Sequence, residues 1–128
     1  MNLLLDTTSL LWFLDGSAEL PDSAAALIEA EDSRPLVSSV TAWEIAVKVG
    51  LGKLRLPYAI GEEFEETLLN NGFELLPISN AGLERTSRLP DHHRDPFDRL
   101  LAGEALEHNA TIVSPNPIFD EYGVRRRW

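Results

Sequence analysis

The sequence predicts a single α/β domain, a three-layer α/β/α sandwich around a central and mainly parallel sheet. Short apolar runs, such as "NLLLD" at residues 2–6 and "ATIVS" at residues 110–114, are typical of strands buried on both faces. Stretches with helical spacing separate these runs, which is typical of parallel strands joined by helices. The 128 residues contain no internal repeat and no long linker, so we assign residues 1–128 to one domain with a single core.

The first half of the chain predicts the order strand, helix, helix, strand, helix. "NLLLD" is a continuous apolar strand, and "TSLLWFLDG" after it has helical spacing and a glycine stop. "PDSAAALIEAED" opens with proline and aspartate and continues with strong helix formers. "PLVSS" is a short strand that ends in hydroxyl residues, and "VTAWEIAVKVG" is a helix that closes on glycine.

The second half continues the alternation. "AIGEEFEETLLNNG" is an acidic amphipathic helix with an Asn-Gly stop, and "FELLPIS" is the strand after it. A short helix, a polar loop and a helix that begins at a proline come next. In order, the remaining elements are the helix "NAGLERTSRL", the loop "PDHHRD", the helix "PFDRLLAGEALEHN", the strand "ATIVS" and a turn or helix "NPIFDEYG".

Composition narrows the classes of function. The chain has no cysteine, which excludes disulfides, a thiolate nucleophile and cysteine-ligated zinc, and which fits a reducing cytoplasm. A formal net charge of −10 argues against nucleic-acid binding through phosphate neutralisation alone, although it permits a local site. The apolar N-terminal run is interrupted by Asp6 and lacks the basic region of a secretion signal. No apolar run approaches the ~20 residues that a membrane span requires, so we expect no membrane association.

Asp6 follows directly after the first predicted strand. In open α/β sheets, ligands bind at the carboxyl ends of the strands, which makes this residue a candidate for function. The alternative is that Asp6 caps the helix that follows. The two roles are compatible.

Asp95 and Asp98 lie on either side of Pro96, where a helix is predicted to begin. At about 100° per residue, Asp98 falls on the apolar face of that helix, and a carboxylate aimed at a core is costly unless a cation meets it. The alternative makes Asp95 the N-cap and Asp98 the third helical residue, which explains Asp95 better than Asp98. Glu104 also falls on this face and weakens the functional interpretation.

Three further polar segments have ordinary explanations. Glu44 lies on a polar stripe with Thr41 and Lys48, and by itself it is most simply a solvent-facing acid paired with Lys48. His92 and His93 are predicted to be surface loop, because no third histidine and no cysteine completes a zinc site. "SPNP" at residues 114–117 follows a buried strand and so lies at the same sheet edge as Asp6, although a tight turn would also explain it.

Together these segments resemble the PIN-domain ribonucleases and, within them, the VapC-type toxins of bacterial toxin–antitoxin pairs. The resemblance spans nearly the whole chain and is most specific where "WEIAVKVGLGKL" and "HHRDPFDRLL" occur at this spacing. The segments that carry it are "LLLDTTSLLWFL", "VSSVTAWEIAVKVGLGKLRLP", "LPDHHRDPFDRLLAGEAL" and "TIVSPNPIFDEYGV".

The resemblance implies a site of acids that hold Mg²⁺ or Mn²⁺. By match to the family's motifs, the catalytic positions are Asp6, Glu44 and Asp98, with Asp95 as a neighbour and Asp6 and Asp98 as metal ligands. The family's Thr/Ser-x-Asp pattern commonly supplies a fourth acid, and here that place holds Asn116. The amide puts a second metal ion and full activity in doubt. The resemblance also implies a homodimer and a cognate antitoxin.

Elementary electrostatics explains why converging acids need an ion. Two carboxylates ~5 Å apart repel by roughly 3 kcal/mol at an effective dielectric constant near 20, so three require either protonation or a cation. Oxygen ligands favour Mg²⁺ or Mn²⁺ over zinc. Such an ion can activate water for attack on a phosphodiester, which requires no side-chain nucleophile. Lys48, Arg94 and Arg99 are candidate contacts to substrate phosphate.

The leading hypothesis is therefore a metal-dependent endoribonuclease that cleaves structured or single-stranded RNA and is silenced by an antitoxin. One alternative is a PIN-like module that binds RNA or protein but has lost turnover through Asn116. Another is a phosphatase of the haloacid-dehalogenase type, which also has an Asp after its first strand and uses Mg²⁺. That class usually has a second Asp two residues later, where this chain has Thr8.

Overall fold

The computed structural model describes residues 1–91 and 95–128. The strands are β1 (Asn2–Leu5), β2 (Arg34–Ser38), β3 (Glu74–Leu76), β4 (Thr111–Val113) and β5 (Arg126–Arg127). The helices are α1 (Thr7–Asp15), α2 (Asp22–Glu29), α3 (Ser39–Gly50), α4 (Glu62–Asn70), α5 (Asn80–Ser87), α6 (Pro96–Glu107) and α7 (Ile118–Glu121). Within these described residues, no helix is long and apolar enough to cross a membrane.

The strands form one parallel sheet in the order β3-β2-β1-β4-β5. β1 lies at the centre, where Leu4 pairs with Leu36 of β2 on one side and with Ile112 of β4 on the other. Because all strands run in the same direction, the carboxyl ends of β1, β2 and β4 lie side by side at one edge. This edge, which we call the carboxyl edge, places Asp6 next to the residues that follow β4.

Side chains of β1 alternate between two separate hydrophobic cores. Leu3 and Leu5 face α1 to α4, whereas Leu4 faces α6 and α7. The first core includes Leu10, Ile28, Ile45, Phe64 and Leu68, and the second includes Leu101, Ala102, Ala105, Phe119 and Tyr122. Helices therefore cover both faces of a parallel sheet, which confirms the predicted three-layer α/β/α sandwich.

β5 is the element that the sequence pattern does not predict. Its two arginines lack an apolar pattern, and the strand exists because its backbone extends the sheet beside β4. Arg126 also donates two hydrogen bonds to the carboxylate of Asp120, at 3.0 and 2.9 Å. These bonds lower the pKa of Asp120 below its usual value. Backbone pairing and one ion pair thus create an edge strand from a charged segment.

α5 and α6 make an unusually close contact away from the carboxyl edge. A Cβ atom on Gly103 of α6 would lie 2.8 Å from the backbone oxygen of Gly82, which means that only glycine fits there. Glu104, the acid that the helical projection placed on the apolar face of α6, fills the space above Gly82. Its carboxylate accepts a hydrogen bond of 2.9 Å from the backbone N–H of Ser79 and lies 3.3 Å from His108.

Candidate active site

Asp6 is buried at the centre of the carboxyl edge, immediately after β1. Its Oδ1 atom accepts a hydrogen bond of 2.9 Å from the backbone N–H of Ser9, so the residue is the N-cap of α1. Its Oδ2 atom accepts a bond of 2.5 Å from the hydroxyl of Ser114, which follows β4. The capping alternative is therefore correct for one oxygen, and the other oxygen is turned toward the neighbouring strand end.

A chain of hydrogen bonds leads from Asp6 to Asp98. The backbone N–H of Asn116 donates to the hydroxyl oxygen of Ser114 at 3.0 Å. The side-chain amide of Asn116 donates to Asp98 Oδ2 at 3.4 Å, and its own oxygen accepts from the backbone N–H of Ile118 at 3.1 Å. Asp6 and Asp98 thus lie on opposite sides of the Ser114–Asn116 segment. Asn116, at the place of the family's fourth acid, bridges them.

Glu44 reaches the same edge from α3. Its Oε1 atom accepts a hydrogen bond of 2.6 Å from the hydroxyl of Thr7, the residue after Asp6. Its Oε2 atom lies 2.5 Å from the ammonium of Lys48, one helical turn later. The sequence pattern indicated the Glu44–Lys48 pair correctly, but Glu44 is turned toward α1 and its side chain is only 13% exposed.

The electrostatics of Asp6 reflect both burial and a second acid. Burial raises the pKa of the Asp6 carboxyl above its usual value, hydrogen bonds from Ser114 and Ser9 lower it, and the negative charge of Glu44 raises it again. A raised pKa means that the environment opposes the charged form. A cation placed beside Asp6 would favour its charged form.

Two predicted positions have clear structural roles. Asp95 is the N-cap of α6 and accepts from the backbone N–H groups of Phe97 and Asp98, at 2.9 and 3.4 Å. Arg99 donates to the carbonyl oxygens of Pro90, Thr86 and Leu89, and its guanidinium lies 5.8 Å from the centre of the Tyr122 ring. A contact of Arg99 with phosphate stays a prediction, while these bonds tie α6 to the segment after α5. Arg94, His92 and His93 lie outside the described residues.

The model of the PIN domain family matches residues 3–124, nearly the whole chain. The chain belongs to the PIN domain family. The fold class inferred from the sequence and the resemblance to PIN domains are both confirmed. The phosphatase alternative loses its basis, since it required membership of a different family. No curated protein matches the sequence significantly.

Solved structures of other PIN proteins share the fold at low identity. VapBC2 from Rickettsia felis, bound to a DNA fragment from its promoter, has a TM-score of 0.71 and 20% identity over 100% of this chain and 99% of that one. DNA-bound VapBC from Salmonella typhimurium has a TM-score of 0.72 and 20% identity over 99% and 97%. A toxin–antitoxin complex from Klebsiella pneumoniae has a TM-score of 0.60 and 20% identity over 90% and 87%.

The side chains at the carboxyl edge of this PIN domain are of the types that bind a hard divalent ion. Carboxylates, an amide oxygen and a hydroxyl are the ligands that Mg²⁺ and Mn²⁺ prefer. Within residues 1–91 and 95–128, however, no three Asp, Glu, His or Cys side chains form a group that could hold a metal ion. Ser114 and Asn116 connect Asp6 to Asp98 through hydrogen bonds, and Glu44 is turned to Thr7 and Lys48. The donor chemistry is suitable, and ligation by all three acids would require side-chain movement.

Thr7 and Ser114 are the site residues that sequence reasoning did not select. Each hydroxyl donates to an acid of the edge, Thr7 to Glu44 and Ser114 to Asp6. The signal for Ser114 was its position directly after a buried strand beside β1. Thr7 carried no comparable signal, because a threonine in the first turn of a helix has many ordinary uses.

Proposed function

We propose that this PIN domain is a metal-dependent endoribonuclease and the toxin of a toxin–antitoxin pair. PIN domains are generally nucleases, and the similar structures include VapBC and toxin–antitoxin complexes. The observation that carries the proposal is the hydrogen-bonded connection from Asp6 through Ser114 and Asn116 to Asp98 at the carboxyl edge. Ligands bind at this edge in parallel α/β sheets.

The residues of the carboxyl edge would have different roles in binding an ion. Asp6 and Asp98 would supply carboxylate oxygens to Mg²⁺ or Mn²⁺, and Glu44 would add the third negative charge. When bound, such an ion activates water for in-line attack on a phosphodiester and stabilises charge on the leaving oxygen. Ser114 and Asn116 fix the directions of Asp6 and Asp98, which reduces the reorganisation that ion binding requires. No side chain needs to act as a nucleophile.

Partners follow from the same charges. A basic segment of an antitoxin would neutralise the acids of the carboxyl edge. An antitoxin bound there would exclude RNA. We also expect a homodimer, as the resemblance to VapC-type toxins implies. Lys48, Arg94 and Arg99 remain our candidates for contacts with RNA phosphate.

The proposal predicts new RNA ends when the chain is expressed. Sequencing of RNA ends after induced expression should reveal cleavage sites, and Asp98→Asn should remove them because it deletes one carboxylate of the edge. Asp22→Asn is the matched control, since Asp22 is exposed in the first turn of α2 and distant from the edge in the sequence. Purified protein with Mn²⁺ should cleave the same RNAs. Identical RNA ends from the wild type and Asp98→Asn would contradict the proposal.

A second candidate is a PIN module that binds RNA or protein without cleavage. It is favoured by Asn116, whose amide uses its nitrogen for Asp98 and its oxygen for Ile118. An amide so engaged has a structural role and adds no negative charge for a second ion. Binding of RNA by the wild type without new RNA ends would select this candidate.

A further inference from the structure

Lys48 and Glu44 form an ion pair whose partners differ in their access to water. The Glu44 side chain is 13% exposed, whereas that of Lys48 is 44% exposed. Both Glu44 oxygens are used, one by the hydroxyl of Thr7 and the other by the Lys48 ammonium. Glu44 thus depends on Lys48 for charge compensation, while Lys48 retains access to solvent.

This difference gives the pair a preferred way to separate. A carboxylate that is largely buried is costly without a cation beside it, and Asp6 adds a second negative charge nearby. The ammonium of a lysine is strongly hydrated and sits on a flexible stem, so a half-exposed lysine returns to water at little cost. Glu44 can therefore exchange one cation for another, but it cannot easily be left with none.

We propose that Lys48 is the built-in counter-ion of Glu44 and that a divalent cation displaces it when the site is loaded. This inference rests on the proposed function, because it concerns the same site. Lys48 is then a positioning residue that competes with the ion for Glu44 Oε2. Its charge sets how tightly the ion binds, and Thr7 holds the other oxygen of Glu44 in place during the exchange.

Binding of Mn²⁺ to the purified, RNA-free protein tests the proposal directly. Free Mn²⁺ is measured by electron paramagnetic resonance at low salt, for the wild type and for Lys48→Met, which keeps the stem and removes the charge. Loss of a unit positive charge near the dication should tighten Mn²⁺ binding roughly three- to tenfold. Lys53→Met is the matched control, because Lys53 is exposed and lies beyond the C-terminal end of α3, on which Glu44 and Lys48 pair. It should change the affinity far less.

Two further variants test the direction and the route of the effect. Lys48→Arg should weaken Mn²⁺ binding, since a guanidinium holds a carboxylate through a planar fork and is harder to displace. In a Glu44→Gln background, Lys48→Met should have a much smaller effect on Mn²⁺ affinity, because the competition for Glu44 Oε2 is already removed. Thermal unfolding without added metal provides a second readout: Lys48→Met should lower Tm, and Glu44→Gln should suppress that loss.

The outcomes separate this inference from the proposed function. If the wild type binds Mn²⁺ but Lys48→Met binds it equally or more weakly, Lys48 is not a competing counter-ion, and the nuclease proposal is untouched. An undiminished effect of Lys48→Met in the Glu44→Gln background would also overturn the inference. If neither the wild type nor any variant binds Mn²⁺, the metal-dependent function itself fails. Lys48→Gln repeats the test with a polar side chain if Lys48→Met folds poorly.

Discussion

The carboxyl edge of the sheet and the contact between α5 and α6 each bury an acid, Asp6 in the first region and Glu104 in the second. Glu104 is the more deeply buried, with 1% of its surface exposed against 8% for Asp6. Glu104 accepts a hydrogen bond from the backbone of Ser79 and has His108 beside it. Burial raises the pKa of Asp6, and the negative charge of a second acid, Glu44, raises it further.

The comparison shows that depth of burial would not by itself separate the acid of the proposed site from an acid of the core. Glu104 occupies the space that Gly82 leaves between α5 and α6, and its bond to the backbone of Ser79 helps to hold that contact together. Asp6 lies where several strand ends meet, and the hydroxyl that binds it belongs to a segment that also contacts Asp98. Asp6, Glu44 and Asp98 come from distant parts of the chain to this edge, and for that reason we propose the carboxyl edge as the site.

The largest expected effect is a loss of stability when Glu104 is removed from the contact between α5 and α6. Glu104→Ala should lower the free energy of unfolding by about 2–4 kcal/mol, because it leaves a cavity and an unpaired Ser79 N–H. Glu104→Gln keeps an acceptor for Ser79 and should cost much less. Urea unfolding measures both. RNA cleavage per folded molecule should be unchanged in both variants, and loss of cleavage in a stable Glu104→Gln protein would place Glu104 in the active site.

A smaller effect is expected from restoring the fourth acid. Asn116→Asp replaces the amide donor to Asp98 with a carboxylate and so adds repulsion at the edge. We expect Mn²⁺ to bind roughly tenfold more tightly, equivalent to about 1.4 kcal/mol, and cleavage to increase. Titration with Mn²⁺ and a cleavage assay measure these changes. Tighter binding without any cleavage would favour the non-catalytic module, and weaker binding would contradict the role assigned to Asn116.

The smallest expected effect is a pH dependence of stability at Asp6. Because the folded-state pKa of Asp6 is raised above 3.8, the folded protein keeps this proton to a higher pH than the unfolded chain does. The contribution of Asp6 to the free energy of unfolding should therefore fall as pH rises from the pKa of Asp6 in the unfolded chain to its higher pKa in the folded protein. At higher pH it should level off. Urea unfolding over a pH series measures this contribution as the free energy of unfolding of the wild type minus that of Asp6→Asn. A difference that grows with pH would mean that the Asp6 charge is stabilising.

Much of the fold was predictable because apolar periodicity decides it. "NLLLD" and "ATIVS" are short apolar runs, which predict parallel strands that are buried on both faces. In the sheet both are interior strands, and they pair with each other. The position of Asp6 after the central strand required only the general rule for α/β sheets. β5 could not be predicted, because it forms only by pairing with the exposed backbone groups of β4. Its two arginines show no apolar pattern that indicates a strand.

The sequence was enough to select the acids of the candidate site, but it could not predict their contacts. Asp98 on an apolar helix face was informative, although the same projection selected Glu104, and only the packing of α5 separates the two. Glu44 looked like a solvent-facing residue because a helical projection does not show that α1 lies beside α3. The bond from Thr7 to Glu44 joins residues 37 positions apart, and nothing local in the sequence encodes it.

The bond between Asp6 and Ser114 joins residues separated by 108 positions. The ribosome releases β1 long before it releases its partner β4 and the serine that orients Asp6. A nascent chain consequently carries most of its acids well before the contact that gathers them can form. Under the proposed function, a growing polypeptide would be harmless to the messenger that encodes it until translation has passed residue 116.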